Sequence, residues 1–130
     1  MTMPRLFVGI LLTLVLLGCS RTDGPKEKYF GGETVEHWLD GVKSPDAKSR
    51  KKAADMLGNI GAVDARAVPA LIEAAKERDA KVRDAAVLAL SKIGPPAASA
   101  ESVLTEATQD KDATVRKHAT AALDRVRGTK

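Results

Sequence analysis

The stretch DAKVRDAAVLALSKIG, residues 79–94, decides the fold, because it recurs on both sides at a fixed spacing of 33 residues. Residues 46–61 read DAKSRKKAADMLGNIG, and residues 112–127 read DATVRKHATAALDRVR. Three copies in one register without a gap define a repeat architecture. Asp46, Asp79 and Asp112 open the copies, and each is suited to cap a helix N-terminus by accepting a bond from a backbone N–H two or three residues on. Beyond them, Ser49/Val82/Val115, Ala53/Ala86/Ala119, Met56/Ala89/Ala122, Leu57/Leu90/Leu123 and Ile60/Ile93/Val126 follow at steps of 4, 3, 1 and 3. Those steps lay out one apolar helical face. Gly61 and Gly94 stand where a left-handed C-cap residue is wanted, a position that slips to Gly128 in the third copy.

The period leaves room for one more helix per unit, and the preceding segments supply it in register through Trp38/Leu71/Leu104 and Leu39/Ile72/Thr105. In the middle copy Pro69 falls in the first turn, where its missing N–H costs nothing. The unit reads as helix, turn, helix.

The middle copy, from Val68 through Ala74 and then Asp79, Val82, Arg83, Ala86, Ala89, Leu90, Ile93 and Gly94, resembles the short bacterial variety of the HEAT repeat family. In that variety a VPALIEAL-like first helix precedes a D-x-x-VR-x-x-A-x-x-AL-x-x-IG second helix. The resemblance implies an all-α fold, an α-α superhelix of three helical hairpins within residues 29–130, with repeats at about 34–61, 67–94 and 100–127. The end copies depart from the pattern: Ser49 replaces a valine, and Thr105 and Thr108 dilute the first helix of the third. Such departures suit the ends of a short solenoid, where one face has no neighbour.

Residues 1–18 read as an export signal. Arg5 supplies a positive start, residues 6–17 form a 12-residue apolar run, and Leu16-Leu17-Gly18-Cys19 closes it. The run is short of the roughly 20 residues needed to span a bilayer. Its ending resembles the bacterial lipobox, which implies cleavage before Cys19 and lipidation of that residue. The protein is then expected at a bacterial cell envelope membrane, on the periplasmic or surface side, anchored through the lipid on Cys19. An ordinary signal peptide or a buried helix is the alternative.

Removing residues 1–18 takes away Arg5 alone and leaves 20 Lys plus Arg against 17 Asp plus Glu, a mild +3. Cys19 is the only cysteine, so no internal disulfide can form and the core must carry stability. Residues 19–28 are polar and broken by Gly24-Pro25, which reads as a flexible tether reaching roughly 30 Å at most. Arg21, Lys26 and Lys28 in it favour anionic lipid. Tyr29 and Phe30 follow as an expected cap over the open end of the first repeat.

Chemistry is sparse. The repeat resemblance extends to iron-dependent hydroxylases, which use several His-Glu pairs, but this chain has only His37 and His118 and no such pair. A pigment-lyase branch is cytoplasmic, which the export signal opposes. Without a Gly-rich phosphate loop, a Ser/His/Asp constellation or a free thiol, the expectation is no catalytic residue, no metal and no cofactor.

Binding is the class that remains. On a helical wheel, the side of each second helix away from the core carries Lys51/Asp84/Lys117, Ala54/Val87/Thr120, Asp55/Leu88/Ala121 and Gly58/Ser91/Asp124, positions that line the inner surface in a HEAT solenoid. Val87 and Leu88 would form an apolar spot flanked by Lys51, Asp84 and Lys117, the composition of a modest protein-binding surface. Arg50, Arg83 and Arg116 make a ladder that invites an anion or nucleic-acid reading. Asp–Arg contacts within and between repeats account for it better, and neither nucleic acid nor a small-molecule substrate is expected. The sequence thus points to a non-catalytic interaction or scaffold module with a protein partner, a structural spacer without a ligand being the alternative.

Overall fold

A computed structural model describes residues 28–129; the export signal and all of the tether except Lys28 lie outside the described residues. Six helices follow a two-stranded hairpin: β1 (Tyr29–Phe30), β2 (Glu33–Thr34), α1 (Val35–Gly41), α2 (Ala47–Ile60), α3 (Ala67–Ala74), α4 (Ala80–Ile93), α5 (Glu101–Ala107) and α6 (Ala113–Arg127). The helices pack as three consecutive hairpins, and the second helices α2, α4 and α6 stack side by side. The architecture is the expected all-α solenoid.

Each second helix starts as its sequence dictates. Asp46 accepts from the Ser49 N–H at 2.9 Å, Asp79 from Lys81 and Val82, and Asp112 from Thr114 and Val115. Ala53, Ala86 and Ala119, with Leu57, Leu90 and Leu123, are buried along the expected face, and so are Ile60, Ile93 and Val126. The three helix ends differ. Gly128 is left-handed (φ 69°, ψ 18°) and Gly94 has φ 72° with ψ −140°, but Gly61 is right-handed at φ −60°. Gly61 is there for space, since a Cβ on it would lie 2.1 Å from Cδ1 of Ile93.

The front of the stack is closed by the hairpin. Trp38 Nε1 donates to the Phe30 carbonyl at 2.8 Å, and Gly31 lies directly over the end of Met56. Phe30 packs against the core as expected of a cap, whereas Tyr29 is exposed. Lys28, the last residue of the expected tether, donates from Nζ to the Val63 carbonyl in the α2–α3 loop at 3.0 Å.

Candidate functional site: the exposed face of the second helices

The arginine ladder is structural, through different atoms from those expected. The capping aspartates spend their carboxylates on backbone N–H groups, and the arginines turn to the loops between the paired helices. Arg50 Nη1 donates to the carbonyls of Ser44 and Pro45, Arg83 Nη1 to those of Glu77 and Arg78, and Arg116 Nη1 to those of Asp110 and Lys111. One guanidinium thus clamps each intra-repeat turn. The remaining nitrogens reach into the next repeat: Arg83 grips Asp110 through two bonds of 2.8 Å, and Arg50 Nε lies 3.0 Å from Glu77, too far off line for a hydrogen bond. The Arg83 guanidinium holds the Asp110 carboxyl below its usual range, against the opposing effect of burial.

The outward side of the second helices differs from the helical-wheel expectation. Val87, expected in the exposed apolar spot, is fully buried, as is Ala54, and Gly58 is buried too. The cause is sideways stacking. The backbone of α4 passes so close to α2 that a Cβ on Gly58 would stand 2.9 Å from Cα of Ala89. Positions 54 and 58 therefore face the next second helix, and a wheel drawn on one helix with one core direction cannot show that. In α6 the same positions carry Thr120 and Asp124, both exposed. The small pair Ala54 and Gly58, four residues apart, was the available sequence signal for such an approach.

What remains open to solvent, wholly or in part, is a ribbon across three helices. From α2 come Lys48, Lys51, Lys52, Asp55 and Asn59; from α4 come Lys81, Asp84, Leu88 and Lys92; from α6 come Lys117, His118, Ala121 and Arg125. Leu88 is the central apolar group, 44% exposed. Lys51 is drawn to Asp55 on its own helix at 2.7 Å, while Lys117 stands in the open. Asp84 is half-buried and meets His118 Nδ1 at 2.6 Å, a link between α4 and α6 that the sequence did not disclose. Lys92 bonds Asn59 across the α2–α4 seam, and Lys52 lies over the Trp38 ring. Of the five residues expected to form the binding spot, Leu88, Lys51, Asp84 and Lys117 share this ribbon, and Val87 belongs to the core.

The ribbon is basic. Its seven Lys and Arg stand against Asp55 and Asp84 within it and Asp79 and Asp124 at its edges, a local charge of +3 out of the chain's total of +4. The side chains of Lys48, Lys81, Lys117 and Arg125 have no hydrogen-bond or ion-pair partner among the described residues. Lys48, Lys51 and Lys81 line a shallow hollow of about 440 Å³ between the starts of α2 and α4, with Ala47 and Asp79. Elsewhere Arg66 is engaged with Glu36 and Asp64, Lys76 with Glu73 and Arg127 with Glu101, while Lys43, Arg78 and Lys111 stand singly in the three intra-repeat turns.

No cluster of three or more His, Cys, Asp or Glu side chains is placed to hold a metal ion among the described residues. His37 lies 3.8 Å from Glu33, far in the chain from the His118–Asp84 pair. No helix among the described residues is long and apolar enough to cross a membrane.

The hairpin stack, its capped second helices and its turn-clamping arginines define a helical-repeat protein. The chain belongs to the HEAT repeat family, whose model matches residues 35–124. HEAT repeats commonly mediate protein–protein interaction. A comparison with curated proteins found no match.

Proposed function

We propose that this protein is a non-catalytic interaction module, held at a bacterial envelope membrane by lipid on Cys19, that binds a protein partner on the exposed, inner-surface side of α2, α4 and α6. The observation that carries this reading is Leu88, an exposed leucine at the middle of a basic helical face, on a surface where the packing leaves side chains unused for the core. A fold spends no stability on an exposed leucine there, since its equivalents are Asp55 and Ala121. In a contact it becomes a small desolvated centre with a polar rim.

A photo-crosslinking amino acid in place of Leu88, introduced in cells and irradiated, tests the surface. A discrete protein adduct that disappears when the crosslinker is moved to exposed Glu106 on α5 is the expected result. No adduct from position 88 would leave the chain a spacer. The anchor is tested separately: Cys19→Ala should abolish lipidation and leave the chain uncleaved before that residue. Processing and membrane fractionation like wild type would remove the lipoprotein reading.

A further inference from the structure

We infer that the partner presents an acidic segment to this face, lying across the three second helices with an apolar side chain over Leu88; the inference rests on the interaction reading above. The charge argument comes first. Four cations stand without counter-ions on one continuous helical face, whereas the other unpartnered cations among the described residues, Lys43, Arg78 and Lys111, are isolated one to a turn, so this face is where uncompensated positive charge is gathered. An acidic segment arriving at this face supplies the missing partners and is steered to it at long range. Neighbouring helices sit about 8–10 Å apart, so three of them offer a track roughly 20 Å long, matched by about six residues of extended chain.

The details favour a peptide over a lipid surface. A membrane-binding face gains from several apolar side chains inserted together and from cations free of interruption. This one has a single leucine, and Asp55 and Asp84 stand within the ribbon. Those two carboxylates set a register: Asp55 neutralises Lys51 and Asp84 engages His118, which leaves Lys48 and Lys81 at the hollow, with Asp79 beside them, and Lys117 and Arg125 spaced along α6 as the open cations, Leu88 lying on the helix between α2 and α6. The implied ligand has acidic residues at both ends and an apolar one between.

The test uses the full-length chain in neutral detergent and a fluorescent peptide of about twelve Asp and Glu residues with one central Leu, a length that covers the track twice over. Fluorescence anisotropy at low ionic strength should show binding that fades at about 0.5 M salt, where screening is nearly complete. The same peptide built on Lys should not bind. Lys81→Glu with Lys117→Glu should weaken binding at least about tenfold with unchanged circular dichroism, as expected for removal of close charge pairs. Absence of binding at low salt, or equal binding by the double variant, would overturn the inference. So would displacement of the peptide by vesicles containing phosphatidylglycerol but not by phosphatidylcholine vesicles, which would assign the face to lipid. A protein adduct at position 88 together with a failed acidic peptide would overturn only the acidic partner; absence of any adduct would fell the interaction reading itself.

Discussion

Arg83 is the one buried charged side chain among the described residues, and five donors on a planar fork explain how it is tolerated. One edge of the fork holds the turn carbonyls of Glu77 and Arg78 and the other holds Asp110, so the charge is both paired and hydrogen-bonded. Asp110→Asn keeps the shape but leaves that charge without its counter-ion, and should cost about 3 kcal/mol in chemical denaturation, in line with breaking a buried pair. A midpoint equal to wild type would mean the turn carbonyls suffice. The pair also predicts a pH dependence. Because Asp110 titrates lower in the folded state than in the unfolded chain, its contribution is complete above about pH 4 and is lost as pH falls through the lower folded value. Melting temperature followed downward from pH 6 should therefore fall more steeply in wild type than in Asp110→Asn. Parallel curves would show that other carboxylates dominate.

Between helices, the α2–α4 seam is set by the absence of a side chain. Gly→Ala inside a helix normally gains up to about 1 kcal/mol in propensity. At Gly58 the added methyl must displace the Ala89 backbone, so Gly58→Ala should instead destabilise by about 1–3 kcal/mol, the usual cost of overpacking. A raised melting temperature would show that the seam can open without loss. Adjacent positions on α4 should likewise split: Val87→Thr should destabilise because it places a hydroxyl in the core, while Leu88→Asp should leave melting nearly unchanged. Equal effects would contradict the phase of this helix. The sequence made each helix legible by itself, through the capping aspartates and the stripe at positions 53, 57 and 60 with their equivalents. It did not disclose the seam, because a single-helix wheel carries one core direction, and a stacked helix has a second one. For the same reason a wheel sets Leu88 and its charged neighbours on the exposed side correctly but puts Val87, which is core, beside them. The spacing of the arginines points to a structural role, but their carbonyl partners come from turn geometry that side-chain spacing does not encode.

Across the whole molecule, each repeat touches mainly its neighbours, so stability passes along the stack through the seams. Leu90 is fully buried in the middle repeat, and Leu90→Ala should cost roughly 2–5 kcal/mol. Trp38, the sole tryptophan, lies in the first repeat and reports on it by fluorescence. If the stack unfolds as one unit, Leu90→Ala should lower the midpoint reported by Trp38 as much as that reported by circular dichroism. An unmoved Trp38 transition would reveal repeats that melt independently. The hairpin that closes the front has a mechanical consequence. A pull arriving along the chain from its N-terminal side meets Lys28 first, then the strand pair Tyr29↔Thr34 and Phe30↔Glu33, before it reaches any helix. With its load-bearing end and its far end on adjacent short strands, the hairpin opens like a zip, one pair at a time, and each pair that parts pays out slack before strain reaches α1. The molecule thereby carries its own shock absorber at the point where a tether would tug.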